Sequence, residues 1–391
     1  MSQNSGCKTE QRDRIVAIDI IRGISIFGIF LVNMMSFHSP LLYVDPHTRW
    51  HQGLEKYTYR FIDVFAEGSF YPLFALLFGY SFVLFREKVV GQGMNFTVLA
   101  LRRLFFLLVV GIIHAFFIWH GDILIQYSIL GFIFIFFVTL PERSLLSSGL
   151  YLYGVPVLFL QIWLFVSTWF MNKDMTNQFD PRAVQHSLHI YQQGTISEIT
   201  KMRITDWMVT NNTGNIPFLL VSIFPLFLIG AGFAKQKLLE RSFKRISQMM
   251  YLMLSLGLMF KFVPYLFEGN PWAQYTQESI GGLCLAIFYG AAIIKITQHE
   301  KMTKWLSPIA AVGRMSISNY LFQSIISTCI FYSYGFGFYG KISLFSGTIL
   351  VIIIFIGQII TSNLWLKRFS VGPVEWIWRC FTYMKVIKLR K

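Results

Sequence analysis

Long apolar runs separated by short polar segments dominate this sequence. A helix needs roughly 20 apolar residues to cross the hydrocarbon core of a bilayer. The runs that approach this length cover residues 15–37, 64–85, 102–119, 122–140, 146–171, 216–234, 247–267, 279–297, 316–335 and 344–366. The pattern predicts an all-α polytopic transmembrane helix bundle of about ten spans. We expect a single membrane domain over 15–366, with the segments 1–14 and 367–391 outside it.

The distribution of Lys and Arg predicts the orientation of these spans. If the N-terminus is in the cytoplasm, 25 of the 34 basic residues fall on the inner side and eight on the outer side, while Lys261 lies within a span. Loops rich in Lys and Arg stay in the cytoplasm. Because one span more or fewer would remove this asymmetry, we expect ten spans and both termini in the cytoplasm.

Composition favours a membrane protein over a nucleic-acid-binding one. Hydrophobic residues make up 54% of the 391 residues and charged residues only 14%, whereas soluble domains carry about 25% charged residues. The net charge of +15 comes with no dense basic helix, so no nucleic-acid partner is expected. The four cysteines lack the paired spacing of a zinc site, and no metal is expected.

One long loop, residues 172–215, is predicted on the outer face. Asp180 followed by Pro181 is a typical helix start. Thr195 and Glu198 have the spacing of a capping box. We expect two short amphipathic helices on the outer surface, and a merely solvated loop is the alternative.

The first span carries polar groups at both ends. Ionisable residues inside a membrane are functional candidates by default. Asp19 and Arg22 are three residues apart and share one helical face, where they can pair. Asn33 lies near the outer end. The alternatives are an ion pair that holds the inner end of the helix and an amide that links two helices.

Three histidines, His38, His47 and His51, fall in the following outer loop. Histidine titrates near neutral pH and is the most common general base, so each is a catalytic candidate. His47 and His51 have i, i+4 spacing but no intervening glutamate of the HExxH type, so the pattern disfavours a metal site. The alternative is that these are inert surface histidines.

The third and fourth spans are joined by a very short hairpin. It places His114 within the outer leaflet and Asp122 at the head of the next helix. Asp122 is expected to cap that helix. A histidine and a carboxylate brought together here also have the composition of a general base and its orienting group.

Span nine carries a polar stripe at helical spacing. Such residues either link helices by hydrogen bonds or form one wall of a hydrophilic cavity, and the density of the stripe favours the cavity. The positions on this face are Ser316, Tyr320, Gln323 and Ser327. Beyond span ten, Glu375 and Arg379 are spaced to form an ion pair.

Several motifs together resemble the YeiB-like family of bacterial membrane proteins of unknown function. They are Asp19-Ile-Ile-Arg22-Gly23 with Val32-Asn33, Phe74-Ala-Leu-Leu-Phe78-Gly79, His114 with Trp119-His120-Gly121-Asp122, Ser318-Asn319-Tyr320-Leu-Phe-Gln323-Ser324, and Gly372-Pro373-Val-Glu375-Trp376-Ile-Trp378-Arg379. The likeness covers nearly the whole chain. It implies a multi-pass protein of the bacterial cytoplasmic membrane.

That family is similar, more distantly, to transmembrane acyltransferases such as heparan-α-glucosaminide N-acetyltransferase and the O-antigen and peptidoglycan O-acetylases. Their first helix carries an Asp, an Arg three residues on, and a His or Asn fourteen residues after the Asp, as at Asp19, Arg22 and Asn33 here. The glucosaminide enzyme follows with His-x-x-Trp-Asn-Gly, whose histidine is catalytic. This chain has His47-Thr-Arg-Trp50-His51-Gln-Gly, with one residue inserted and the Asn missing. The departure leaves the identity of the catalytic histidine open.

The resemblance implies transfer of an acyl group from a cytoplasmic acyl-CoA-type donor to an extracytoplasmic sugar, cell-wall or lipid acceptor. His47, or else His38 or His51, would act as the base or carry the acyl group, and Asn33 would donate to the oxyanion. The further catalytic candidates are Asp19, His114 and Asp122. The predicted donor-binding residues are Arg22, Arg102, Arg103, Arg314, Asn319 and Gln323.

Two other classes of function fit the same pattern. Ten spans with buried polar groups also suit a transporter or exporter without covalent chemistry, and the Trp-rich ends suit a membrane scaffold. Contact with membrane lipid is common to all three, and the sequence leaves open whether the chain forms a homo-oligomer. A tunnel from the basic inner face to His47 and Asn33 would favour the enzyme, and a central cleft between similar halves would favour transport.

Overall fold

The computed structural model describes residues 3–170, 180–212, 214–237 and 243–391. Their regular structure is helical apart from one isolated bridge between Phe369 and Arg390. The helices are α1 (Gln3–His38), α2 (Pro46–Arg49), α3 (Gly53–Phe65), α4 (Phe70–Gly91), α5 (Phe96–Ile113), α6 (Leu124–Phe137), α7 (Glu142–Phe170), α8 (Pro181–Gln193), α9 (Ile196–Thr210), α10 (Ile216–Lys235), α11 (Phe243–Lys261), α12 (Val263–Leu266), α13 (Pro271–Thr276), α14 (Gly282–Thr297), α15 (Glu300–Arg314), α16 (Ser316–Phe331), α17 (Leu344–Arg368) and α18 (Pro373–Tyr383).

Eight stretches of the described residues are long and apolar enough to cross a membrane. They are Val16–His38, Gly53–Gly91, Phe96–Ile118, Glu142–Phe170, Pro217–Lys235, Arg245–Leu266, Pro271–Thr297 and Leu344–Arg368. The prediction of an all-α polytopic bundle is therefore confirmed. The number of ten spans and the cytoplasmic termini stay predictions.

Two of the ten predicted spans fall short of the criteria for a full crossing. α6 is apolar but has 14 residues. α16 has 16 residues and carries the polar stripe. At a rise of about 1.5 Å per residue, each covers roughly 21–24 Å of a core about 30 Å thick. Short length alone thus separates α6 from the other eight spans, whereas α16 differs from them in both length and polar side chains.

Close glycine contacts bring two pairs of helices together. A Cβ on Gly79 of α4 would lie 2.0 Å from the carbonyl oxygen of Phe227 in α10, and one on Gly230 would lie 2.0 Å from that of Leu76. A Cβ on Gly313 of α15 would come within 1.8 Å of the Asp19 carbonyl oxygen in α1. Small residues at crossings let backbones approach, which is how helices associate where no water drives burial.

Two π-helical turns interrupt the regular helices. One, His114–Ile118, ends the α5 segment, and the other, Gln277–Gly281, lies between α13 and α14. Such turns are rare and often mark functional sites. Both lie beside buried ionisable groups, which are described below.

Helices α8 and α9 occupy the described part of the predicted outer loop; residues 172–179 and 213 of that loop lie outside the described residues. Asp180 accepts hydrogen bonds from two amides at the start of α8. Thr195 and Glu198 form the capping box of α9. α9 differs from the expected amphipathic helix because it buries Arg203 and Asp206 together with apolar residues.

Candidate functional site

A hydrogen-bonded chain of three buried side chains joins the end of α5 to α16. His114 Nδ1 lies 2.8 Å from Asp122 Oδ1, and His114 Nε2 lies 2.8 Å from Ser324 Oγ. Asp122 also accepts from the Ile125 amide at 2.8 Å, so it satisfies a free N–H at the start of α6, as its position predicts. The side chains of His114 and Asp122 have no accessible surface, and Ser324 is 1% exposed.

The local sequence explains how this chain of contacts forms. The π-helical turn widens the helix after His114, and the backbone then reverses through Trp119 and Gly121 to present Asp122. A Cβ on Gly121 would lie 2.1 Å from the Trp119 ring, so the hairpin needs glycine there. Tyr320 of α16 donates to the Gly121 carbonyl oxygen at 3.2 Å. The structure thus brings His114 and Asp122 together and adds Ser324 as their third member.

Polar side chains of α16 form hydrogen bonds with α17. Gln323 Nε2 donates to Gln358 Oε1 at 2.8 Å, and Gln358 Nε2 donates to the Asn319 carbonyl oxygen at 2.9 Å. Asn319 Nδ2 donates to the Val312 carbonyl oxygen at 3.2 Å and to Ser362 Oγ at 3.1 Å. Of the predicted stripe, Gln323 thus forms an interhelical hydrogen bond, whereas Ser327 Oγ is buried without a hydrogen-bond partner among the described residues. The side-chain amide nitrogens of Asn319 and Gln323 are therefore bonded to other protein groups, and the binding of an acyl donor by these two residues stays a prediction.

The three predicted outer histidines differ in environment. His38 is buried, with Nδ1 2.7 Å from Ser39 Oγ and with no hydrogen-bond partner at Nε2. His47 is half-buried, and its ring packs edge-on against Tyr59, with Nε2 3.4 Å from the hydroxyl. His51 is exposed. Nδ1 of His51 lies 2.5 Å from the Thr48 carbonyl oxygen. His47 and His51 are therefore both held by a neighbour and accessible, and His47 is the more enclosed of the two.

Asp206 of α9 anchors α8 and α9 to the bundle. It accepts hydrogen bonds from Tyr43 at 2.5 Å and from Tyr191 at 2.6 Å, and its carboxylate lies 3.7 Å from His120 Nδ1. Burial raises the pKa of both tyrosines, and Asp206 raises it further. Burial lowers the pKa of His120, while Asp206 opposes this shift. Arg203 is 2% exposed and stacks over tyrosine rings nearby.

At the opposite end of α1, arginines surround one carboxylate. Arg22 Nη1 lies 3.1 Å from Asp19 Oδ1, as the spacing predicts, and a second nitrogen donates to Ser81. Asp19 also interacts electrostatically with Arg314 and Arg379, which are exposed. Arg103 is stacked over Trp378 and Phe85, and Arg102 is half-buried on the same helix. This arginine cluster includes or is flanked by four of the predicted donor-binding residues, Arg22, Arg102, Arg103 and Arg314.

Glu375 does not form the expected pair with Arg379. Its carboxylate instead accepts hydrogen bonds from the Ile317 amide at 2.8 Å and the Ser318 amide at 3.0 Å, and from the Ser318 hydroxyl. Burial raises the pKa of Glu375, and these hydrogen bonds oppose the shift. The carboxylate satisfies the free amides at the start of α16, and a carboxylate at a helix N-terminus is also favoured by the helix dipole.

Sequence reasoning missed a second cluster, which surrounds Lys261. The Lys261 ammonium is buried and donates to the carbonyl oxygens of Asp63 at 3.1 Å and Glu67 at 2.5 Å. The Asp63 carboxylate accepts from Tyr265 and Gln277, each at 2.7 Å. Tyr59, which holds His47, also interacts electrostatically with Asp63 and Glu67. The sequence offered one signal of this cluster: Lys261 was the single basic residue left inside a span.

Two cavities among the described residues bear on the predicted tunnel. One, of about 70 Å³, is apolar and adjoins the arginine cluster, with Ile18, Ile21, Leu76 and Tyr80 among its lining residues. The other, of about 40 Å³, is lined by Tyr71, Tyr275 and Glu278 among others. Neither lining includes His47 or Asn33, so neither cavity is the predicted tunnel.

These features define a polytopic helical membrane protein with polar clusters at both ends of its first span. Residues 233–385 match the family model described as a protein of unknown function, DUF418. The chain is 32% identical to the uncharacterized protein YxaH of Bacillus subtilis (strain 168) over 96% of each chain. It is 27% identical to the uncharacterized protein YeiB of Escherichia coli (strain K12), over 95% of this chain and 96% of that one. The chain belongs to this YeiB-like family, as its motifs predict.

Proposed function

We propose that the protein is an acyltransferase of the bacterial cytoplasmic membrane. It takes an acyl group from a cytoplasmic acyl-CoA-type donor and passes it to an extracytoplasmic hydroxyl or amine acceptor on a sugar, cell-wall component or lipid. The observation that carries the proposal is the arginine cluster beside an apolar cavity at one end of α1, with a histidine site at the other end.

The inner end suits a donor that is anionic at one side and apolar at the other. Arg22, Arg314 and Arg379 offer charge-assisted hydrogen bonds to phosphate groups. Ile21 and Tyr80, which line the apolar cavity, directly precede the hydrogen-bonded residues Arg22 and Ser81. At about 70 Å³ the cavity is several times the roughly 10–15 Å³ that holds one water. Phosphates at the arginines would therefore start the pantetheine arm of the donor beside the cavity, and that arm would run along α1 so that its thioester reaches the other end.

The outer end suits proton transfer. His38 lies 19 residues beyond Asp19 on α1, which is about 28 Å along the helix axis. The half-buried His47 would take the proton of the acceptor group as that group attacks the thioester carbonyl. The new ester or amide bond forms as the carbon–sulfur bond breaks, and the proton passes to the leaving thiolate. Asn33 would donate a hydrogen bond to the carbonyl oxygen as it gains negative charge. His38 and His51 remain the alternative bases.

The test uses the full-length protein in detergent with acetyl-CoA. We expect saturable binding and slow hydrolysis of the thioester by wild type. His47→Ala should reduce hydrolysis by about 10²- to 10⁴-fold, because general-base catalysis has that size, while binding of the donor is retained. His186→Ala, at an exposed position on α8, is the matched control and should keep both.

A second pair of variants tests the donor site itself. Arg314→Gln with Arg379→Gln should weaken binding of acetyl-CoA and flatten its dependence on salt, since charge-assisted contacts are screened by ions. Lys301→Gln with Lys304→Gln removes the same charge elsewhere on α15 and should leave binding unchanged. Absence of CoA binding at millimolar concentration would refute the proposed function.

A further inference from the structure

The second cavity has a lining that fits a positively charged organic group. Its aromatic residues are Tyr71, Tyr153, Phe218 and Tyr275, and its one charged residue is Glu278. Phe218 and Tyr275 pack with their ring centroids 6.1 Å apart. Aromatic rings attract a cation that lies within about 6 Å of the ring centre, and aromatic cages with an acidic group are how proteins recognise ammonium ions.

The cavity opens on one side. Glu278 and Phe218 are exposed, whereas Tyr153 and Ser279 are buried and Tyr71 is half-buried. The open side therefore carries the carboxylate and one aromatic ring, and the closed end carries tyrosine rings. Its volume of about 40 Å³ is roughly three times the minimum that holds one water. This space suits a small head group rather than a whole sugar or nucleotide.

The surrounding charge is negative in excess. Asp63, Glu67 and Glu278 interact electrostatically with one another and with Lys261, the one cation among these four groups. The ammonium of Lys261 donates to the backbone carbonyls that end α3, so it stabilises that helix end. Oε2 of Glu67 is enclosed and has no hydrogen-bond partner. An added cation would lower the energy of these carboxylates.

The backbone holds Glu278 in place by two unusual features. Glu278 belongs to the π-helical turn Gln277–Gly281. Gly68, at φ +66°, follows Glu67 and approaches that turn so closely that a Cβ would lie 3.2 Å from the Glu278 carbonyl oxygen. A larger residue at position 68 would push the two segments apart. The fold thus keeps Glu67 and Glu278 together although they are 211 residues apart in sequence.

From this geometry we infer that the cavity between α4, α7, α10 and α13 binds an organic ammonium ion, with Glu278 as its counter-ion and Tyr71 and Tyr275 as its aromatic walls. The inference does not depend on acyl transfer. An ammonium group of this kind occurs in lipid head groups, as in phosphatidylethanolamine, and in free amines. The shared chemistry is an alkylammonium head small enough for the cavity.

Equilibrium dialysis of the full-length protein with radiolabelled tetramethylammonium and ethanolamine tests the inference. We expect saturable binding that equal concentrations of sodium chloride do not displace. Glu278→Gln should weaken it at least tenfold. Glu300→Gln removes an exposed carboxylate at the start of α15 and should leave it unchanged. No saturable binding, equal displacement by sodium, or equal effects of these two variants would overturn the inference.

The aromatic walls give a test that is independent of the carboxylate. Tyr275→Phe keeps the ring and should bind like wild type, whereas Tyr275→Leu should bind about two- to fivefold more weakly, the usual size of one cation–π contact. Equal binding by these two variants would contradict an aromatic cage. The two Tyr275 variants test the site even if Glu278→Gln does not fold.

Native mass spectrometry from nanodiscs separates the two sources of the ammonium group. Retention of phosphatidylethanolamine over phosphatidylglycerol, lost in Glu278→Gln, identifies a lipid head group. Binding of the soluble amines without such retention identifies a free amine. Either result supports the site, and enrichment of phosphatidylglycerol instead would contradict its proposed charge preference.

Discussion

Replacing His114 by Leu tests whether the enclosed His114–Asp122–Ser324 chain stabilises the bundle. Leucine is close to histidine in volume, so the variant removes two hydrogen bonds without leaving a large cavity. The carboxylate of Asp122 would keep its bond to the Ile125 amide but lose its partner at 2.8 Å inside the protein. A buried acceptor that loses its hydrogen-bond donor costs about 1–3 kcal/mol, and more if it is charged, because it stays buried without that partner.

Two further variants divide this cost between the two bonds. Ser324→Ala removes only the contact to His114 Nε2, and a hydrogen bond of this kind contributes about 0.5–1.5 kcal/mol. The double variant His114→Leu with Asp122→Leu removes the uncompensated carboxylate as well. Replacing both buried partners by apolar groups is often close to neutral. The double variant should therefore be more stable than His114→Leu alone, after allowing about 1 kcal/mol for the lost cap on α6.

The measurement is the free energy of unfolding in mixed micelles of dodecyl maltoside and SDS. His189→Leu, at an exposed position of α8, is the control and should change stability by less than about 0.5 kcal/mol. The reasoning is wrong if His114→Leu matches that control. Asp122→Leu alone completes the cycle of variants. The reasoning is equally wrong if the cost of the double variant equals the sum of the costs of the two single leucine variants, because additive costs mean that the two side chains do not stabilise each other.

Three further outcomes follow from other contacts. Gly313→Ala should destabilise the protein by about 1–3 kcal/mol in the same unfolding assay, because its Cβ would meet the Asp19 carbonyl oxygen at 1.8 Å and separate α15 from α1. Glu375→Ala should expose the C-terminal segment to limited proteolysis, because the hydrogen bonds from the first amides of α16 to Glu375 hold that segment against the bundle. Burial lowers the pKa of His120 below its ordinary 6.5, so the folded state binds a proton less readily than the unfolded one. Docking of α8 and α9 should thus be complete above about pH 6.5 and weaken below it, seen as faster hydrogen exchange in α9 at pH 5.5 than at pH 7.5, and His120→Phe should remove that dependence.

The fold class was predictable because apolar length is a local property. Each long span is visible in the sequence alone, since a helix in lipid must satisfy its own backbone hydrogen bonds. Prediction from apolar length is weakest for α6 and α16, because their lengths of 14 and 16 residues are too short for a full crossing. Their boundaries depend on the hairpin at Gly121 and on the cap from Glu375, and both are contacts between distant residues.

The candidate sites were likewise predictable where their residues are close in sequence and not where they are distant. Asp19 with Arg22, and His114 with Asp122, were predictable because each pair is close in sequence. Ser324 belongs to another helix, 210 residues from His114. Nothing in a local pattern pairs such positions. The polar stripe on α16 was visible, but whether it faced water or Gln358 depended on what α17 placed opposite it.

The cluster around Lys261 shows why a local pattern misreads charge in a membrane protein. In the sequence, Glu67 and Glu278 look like residues at the ends of spans, where headgroups and water would solvate them. The structure instead folds their segments together at Gly68, within electrostatic range of Lys261.

The two π-helical turns each position a carboxylate, but the two carboxylates differ in their surroundings. A π turn gives up regular helical hydrogen bonding, so a chain retains it where the altered geometry has a use. Each of the two turns adjoins a carboxylate that a regular helix would place elsewhere: Asp122 follows the first, and Glu278 lies within the second. The first carboxylate is fully bonded and enclosed, which suits a part that holds α5, α6 and α16 together. The second is exposed beside a cavity and lacks an ion pair within 4 Å among the described residues, which suits a part that meets a ligand. A π-helical turn therefore has a structural role at Asp122 and a proposed binding role at Glu278, and the contacts of each carboxylate distinguish the two roles.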